Sequence, residues 1–243
     1  MKYLKITLFM MALLAASSCA KNTVEDKGQV SFSISSDIEI ADQTKSSVSD
    51  YTTLPSAEGF AILITDQQNK TLWSGNISEW DATTDIKAGT YTVTATYGSI
   101  EEEGFDKPYF KGTATFTVQP ETSIEVPINV ALANTVIRIS CTENFKKYYN
   151  DYTFTLTRNA NTIATFVKDE TKAAFIDGYK ISLSGTITSA TKTQSFTRDY
   201  TNLNEATAYT ILFDAANVGG SSITITFNNT VETVSLGDFE LNN

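Results

Sequence analysis

The chain has 243 residues, room for one large or two ordinary domains, and 41% of them are apolar, enough to build a core. It carries 28 acidic against 18 basic residues, a formal net charge of −10, and such a surface repels phosphate backbones, which argues against nucleic acid as a partner. There is no histidine, so Ser-His and Cys-His nucleophile pairs and histidine-based zinc sites are excluded, and two cysteines do not make a zinc site. With 37 Thr, 22 Ser, 11 Tyr and 14 Phe against 12 Gly and 4 Pro, the composition favours strands, because β-branched and aromatic side chains suit a pleated, half-buried surface.

Lys2 and Lys5 open the chain, residues 6–16 are apolar or small except Thr7, and small residues 15–18 lead to Cys19. A basic start, a short apolar run and a small-residue cleavage zone read as a secretory signal, too short to span a bilayer. Ala16-Ser17-Ser18-Cys19 resembles a relaxed bacterial lipoprotein cleavage box. Residues 1–18 are therefore expected to be removed, leaving 225 residues with net charge −12. Cys19 would carry acyl chains that anchor the protein to a membrane without crossing it. Cys141, in the strand-like run 136–141, is expected to be a buried, inert thiol with no disulfide partner.

Residues 19–28 read as a tether. Val30, Phe32 and Ile34 alternate with serines, a strand with one polar face. Residues 35–57 are polar and read as a long mobile loop. The run 60–65 is mostly apolar and suits a strand buried on both faces, and the turn 66–69 returns it as a hairpin through 70–73. An irregular segment over 76–85 precedes strict alternation: Tyr91, Val93, Ala95 and Tyr97 share one face and threonines the other. Glu101, Glu102 and Glu103 read as a solvated loop. Strands follow with Phe110, Ala114, Phe116 and Val118 inward, then Ile124, Val126, Ile128 and Val130.

A boundary is placed near Asn134, between two strand patterns and without a Pro/Gly linker. The second half carries the same alternation, in Tyr152, Phe154 and Leu156; Ile163 to Val167; Tyr179, Ile181 and Leu183; Ser195 to Tyr200; Tyr209, Ile211 and Phe213; Ile223, Ile225 and Phe227; and Val231 to Leu236. Only residues 143–150 look helical. The expectation is an all-β chain of two tandem Greek-key β-sandwich domains, immunoglobulin- or transthyretin-like, over 29–133 and 134–243.

Trp73 and Trp80, with Tyr97 and Tyr109, are candidates for an aromatic glycan platform, weighed against places in the core or at its edge. Asp81, Asp85 and Glu101 to Glu103 offer hard oxygens for Ca²⁺, but their spacing matches no EF-hand loop and the required Gly is missing, so an ordinary solvated charge run is favoured; no metal site is assigned. Asp151, Asp169, Glu170, Asp177 and Asp199 are scattered carboxylates, and a glycosidase needs two of them across one cleft. No catalytic residue and no cofactor are assigned. Asn69, Asn76 and Asn228 match the N-glycosylation pattern, incidental in a bacterium.

The lipoprotein signal, the strand over residues 88–98 (Ala-Gly-Thr-Tyr-Thr-Val-Thr-Ala-Thr-Tyr-Gly), the 108–112 stretch and the run over 122–128 leading into Ala133-Asn134 together resemble the fimbrillin-like surface lipoproteins of Bacteroidota. In particular, they resemble an uncharacterised Bacteroides lipoprotein family known as a domain of unknown function. That resemblance implies a non-enzymatic protein held by its lipid at the outer membrane, facing the cell surface, with a role in adhesion or beside fimbriae. Its partners would be other fimbrial proteins or host or polysaccharide glycans. One alternative is a glycan-binding lipoprotein of a polysaccharide-uptake system. Another is a pilus subunit assembled by strand exchange. In the pilus-forming relatives the precursor is cut after a basic residue in an early loop. Here the arginines are Arg138, Arg158 and Arg198, none within the first hundred residues, and Lys45 is the weak substitute.

Overall fold

A computed structural model describes residues 26–36, 47–215, 222–227 and 230–235. The signal segment, Cys19 and Lys45 lie outside them. In chain order the strands are β1 (Lys27–Ser36), β2 (Ala61–Asp66), β3 (Thr71–Asn76), β4 (Ile86–Lys87), β5 (Gly89–Tyr97), β6 (Gly104–Phe105), β7 (Phe110–Val118), β8 (Ser123–Leu132) and β9 (Thr135–Cys141). After the helix α1 (Glu143–Tyr148) come β10 (Asp151–Arg158), β11 (Asn161–Val167), β12 (Ala174–Ile176), β13 (Tyr179–Thr188), β14 (Thr193–Leu203), β15 (Ala208–Ala215), β16 (Ser222–Phe227) and β17 (Thr230–Ser235). The chain is all-β. Its short helix is where the sequence placed one, with the Thr142 hydroxyl accepting from the Phe145 amide at 3.1 Å. No helix among the described residues is long and apolar enough to cross a membrane.

The first half forms a seven-stranded sheet in the order β3-β2-β5-β7-β8-β1-β4. Period-two alternation dictates its faces: Tyr91, Val93 and Ala95 of β5, and Val126, Ile128 and Val130 of β8, are buried, while the intervening Thr, Pro and Asn face outward. The sheet folds back on itself, because Phe32 on β1 and Trp73 on β3, near its opposite ends, both touch Trp80, at 5.6 and 5.3 Å between ring centroids. β1 runs parallel to β8 over eight residue pairs, from Gln29 opposite Ser123 to Ser36 opposite Val130. On its other side, among the described residues, it has only the two-residue β4, opposite Lys27 and Gly28.

Three expectations for this half change. β2 is buried on one face: Ile62 and Ile64 are inside, while Leu63 is 40% exposed, because this sheet has core on one side only. The polar stretch expected as a mobile loop over 35–57 carries a short 3-10 turn, Val48–Asp50, and Val48 is fully buried; a second such turn, Ala57–Gly59, begins where that stretch ends. Of the segment expected as a solvated loop, Glu101 and Glu102 are exposed as expected, but Glu103 is half-buried and leads directly into β6, which pairs not with its own half but with β12.

The second half holds a four-stranded antiparallel sheet, β11-β10-β13-β14, and a six-stranded sheet, β17-β16-β15-β9-β12-β6. They face each other across an aromatic core in which Phe154 of β10 stacks on Phe213 of β15 at 4.2 Å. Gly178 and Tyr179, with φ of 47° and 34°, turn the chain from the end of β12 in one sheet to β13 in the other. β9 is parallel to β15, while the other pairings of this half are antiparallel.

β8 passes into β9 through Ala133 and Asn134. Asn134 and Thr135 are fully buried. The Asn134 side-chain oxygen accepts from the Tyr109 amide, and the Thr135 hydroxyl donates to the Asn204 carbonyl at 2.7 Å. Val136, Ala173, Phe175 and Ala208 of the second half belong to the first half's core. Across the junction Glu103 accepts from Arg158 at 3.0 Å and from the Asp177 amide at 2.8 Å, and Phe105 meets Phe166 edge-on at 4.9 Å.

Candidate functional site

The four aromatic residues singled out in the sequence fall into separate places. Trp73 and Trp80 meet edge to face, with their planes at 77°, where the seven-stranded sheet folds back. The Trp80 indole N–H donates to the Val30 carbonyl at 2.9 Å, on the flank of β1 that has no strand neighbour there among the described residues. Asn76 caps the 3-10 turn between them, its side chain accepting from the Ser78 amide at 2.9 Å while Glu79 accepts from the Asn76 amide at 3.2 Å. Tyr97 packs instead on Phe60 and Phe110, at 5.7 and 6.3 Å, and is 36% exposed. Tyr109 is half-buried beside the junction, and burial raises the pKa of its phenol. Both tryptophans pack against the first core.

The carboxylates considered for a cation are spread out. Asp81 accepts from the hydroxyl and amide of Thr83, at 2.7 and 2.9 Å, which hold its carboxyl below the usual range. Asp85 takes the Gln29 amide at 3.3 Å. Glu102 pairs with Lys107 at 2.6 Å, and Glu103 with Arg158. Among the described residues no group of three or more metal-ligating side chains comes together. Of the second set, Asp177 adds to Arg158 at 3.5 Å and Asp199 meets Lys180 at 3.7 Å, while Asp151 serves the Tyr152 amide.

A cleft that the sequence did not single out lies between the first 3-10 turn and the β9, β10 and β11 strands. It has a volume of about 580 Å³ and is lined by Asp50, Arg138, Cys141, Lys146, Tyr152, Asp169 and Glu170, among others. Arg138 reaches it from β9. Its guanidinium lies 4.4 Å over the Tyr51 ring and donates from Nη2 to the Asp50 carbonyl at 2.6 Å. Its Nε–H is buried without an acceptor, and no carboxylate pairs with it among the described residues. Lys146 is compensated, by Glu143 at 3.4 Å and Asp169 at 3.9 Å. Tyr152 donates to Asp169 at 3.2 Å, and burial raises its phenol. Burial likewise pushes the Cys141 thiol up to about 12, against the opposing pull of Lys146 and the Tyr152 hydroxyl. Both groups are protonated at neutral pH, so the cleft holds no activated nucleophile in Cys141. No periodicity flags such a place. Its one trace in the sequence is a lone Arg in an apolar strand run, far along the chain from Asp50 and well before Asp169.

A comparison with curated proteins finds no match. Among solved structures, the chain is similar to the fimbrial anchor protein Mfa2 from Porphyromonas gingivalis, with 12% identity and TM-score 0.44, covering 84% of this chain and 98% of that one. It is similar to a candidate cell adhesion protein from Bacteroides ovatus, at 13% and 0.46, covering 87% and 99%. A fimbrial assembly protein from Parabacteroides distasonis gives 8% and 0.44, covering 73% and 90%. The family model described as "Domain of unknown function (DUF4493)" matches residues 26–241, nearly the whole chain, and the protein belongs to that family.

Proposed function

We propose that this protein is a non-enzymatic surface lipoprotein of the outer membrane, anchored through Cys19 and acting in adhesion or alongside fimbriae. The observation that carries the reading is the apolar signal-like segment ending at Cys19, eight positions before β1 begins at Lys27. A short tether from an acylated cysteine would present the β body close to the membrane, and its acidic charge leaves the lipid as the hold. The test is metabolic labelling of the cells with an alkyne fatty acid. Label on the wild type, with loss of both label and membrane fractionation in Cys19→Ala, is expected. An unlabelled wild type, or a Cys19→Ala protein that still fractionates with membrane, overturns the anchor.

A second reading, subunit assembly by strand exchange, is favoured by β1, which beyond Gly28 has a strand neighbour on one side only among the described residues. An unboiled gel of the outer-membrane fraction tests it: a ladder that collapses on boiling supports a polymer, and a single monomer band removes it. A glycan-binding role at Trp73 and Trp80 rests on their half-exposed rings. Equal retention of wild type and Trp73→Ala on polysaccharide gels would remove that role.

A further inference from the structure

We propose that the cleft beside Arg138 binds the carboxylate of an acidic saccharide, a single hexuronate residue, with its hydroxyls directed at the carboxylates of the opposite wall. Such a site is independent of the lipid anchor.

Among the described residues no carboxylate pairs with Arg138. It is half-buried, one donor goes to a neutral backbone carbonyl, and its Nε–H has no acceptor. Arg158, similarly buried, is treated differently by the same fold: Glu103 and Asp177 both meet it. A half-buried guanidinium is ordinarily matched by a carboxylate, whose two oxygens fit its fork. Among the described residues no carboxylate takes that place at Arg138; its Nε–H is enclosed by the protein, so a ligand carboxylate would meet the guanidinium at its Nη groups, whose plane the Tyr51 ring beneath fixes.

The rest of the cleft defines what the carboxylate is attached to. Asp169 and Glu170 line it, and so does Ser140. Glu170 uses Oε1 for the Thr171 and Lys172 amides, both at 2.9 Å, which fixes its carboxylate in place. Carboxylates fixed in this way accept from sugar hydroxyls. They would repel a second anionic group, so the cleft takes one carboxylate and not a polyanion. Its aromatic walls, Phe154 and Phe166, are each 1% exposed and offer little apolar surface, which disfavours an apolar peptide end. The volume, about 580 Å³, is within the range of small-molecule sites.

The test is calorimetric titration of the purified full chain in detergent with galacturonate, galactose and acetate. Galacturonate is expected to bind saturably, with galactose and acetate each at least tenfold weaker. Arg138→Gln should weaken galacturonate at least tenfold, and Lys180→Gln, outside the cleft, should leave it unchanged. Arg138→Lys keeps the charge without the fork and should fall between; it also replaces Arg138→Gln if that variant loses the wild-type circular dichroism. The proposal is overturned by absence of saturable galacturonate binding or by equal binding in Arg138→Gln. Acetate binding as tightly as galacturonate overturns the saccharide, and galactose doing so overturns the carboxylate. Displacement of galacturonate by a short peptide with a free C-terminus, at equal concentration, would reassign the cleft to a protein partner and overturn it as well.

Discussion

At Cys141 the local surroundings decide chemistry that residue type leaves open. The thiol is half-buried with its pKa pushed up to about 12, so at pH 8 almost none is thiolate. Mass-spectrometric mapping after iodoacetamide at pH 8 should find Cys141 alkylated far more slowly in the native protein than in urea. Equal rates would sink the buried-thiol reading. The sign of the pH dependence follows. The folded state holds this proton more tightly than the unfolded chain, whose thiol titrates near ~8.5. Its contribution is therefore complete below that value and is lost as pH rises toward about 12. Urea midpoints should fall above about pH 9 in wild type, and fall less in Cys141→Ala. Trp80 is a second such case. Trp80→Phe keeps a ring against Trp73 and Phe32 but leaves the Val30 carbonyl without its donor, costing about 1 kcal/mol in urea unfolding. Trp80→Ala removes the ring as well, at roughly 3 kcal/mol. If the two variants cost the same, the ring packing contributes nothing beyond the hydrogen bond.

At the scale of elements, the strands with one buried face were legible because a period of two is a local signal. β5 and β8 carry it residue by residue, and α1 is marked by its Thr142 cap. β2 misled because Leu63 is apolar yet lies opposite Ser74 and Thr94 on the outer face, and composition does not say which side of a sheet is covered. β6 was invisible for a different reason. Two residues have no period, and the triad of glutamates before them reads as solvent-facing until Arg158 is brought across from β10. The parallel pairings of β1 with β8 and β9 with β15 are likewise non-local. The Arg138 cleft was hidden by the same distance in sequence, whereas Trp73 and Trp80, seven residues apart, were expected together and do meet. The β6 insertion yields its own prediction. Glu103→Ala strands the Arg158 guanidinium with the longer Asp177 contact and frees the Asp177 amide, so it should cost about 2–3 kcal/mol by chemical denaturation. Arg158→Ala alone and the double variant complete a cycle, and additive costs would mean that the pair does not interact.

Across the whole molecule the question is whether two halves that share side chains behave as two bodies. Val136, Ala173, Phe175 and Ala208 are buried in the first half's core although they come from the second, and Asn134 and Thr135 at the join are fully buried. β6 supplies an edge strand to the second half's sheet from within the first. Unfolding either half alone would expose apolar surface of the other and break the Glu103–Arg158 contact, so the intermediate with one half folded is raised in free energy. The two halves should therefore unfold together. The chain carries its own reporters for this: both tryptophans lie in the first half, and Cys141 lies in the second. Tryptophan fluorescence and the extent of brief Cys141 alkylation, followed through a urea titration, should share one midpoint and one slope. Glu103→Ala should move both midpoints together, because the lost contact belongs to both halves. Two separated midpoints, or a Glu103→Ala shift confined to the Cys141 signal, would mean that the shared side chains do not couple the halves, and that each core holds its own half without the other.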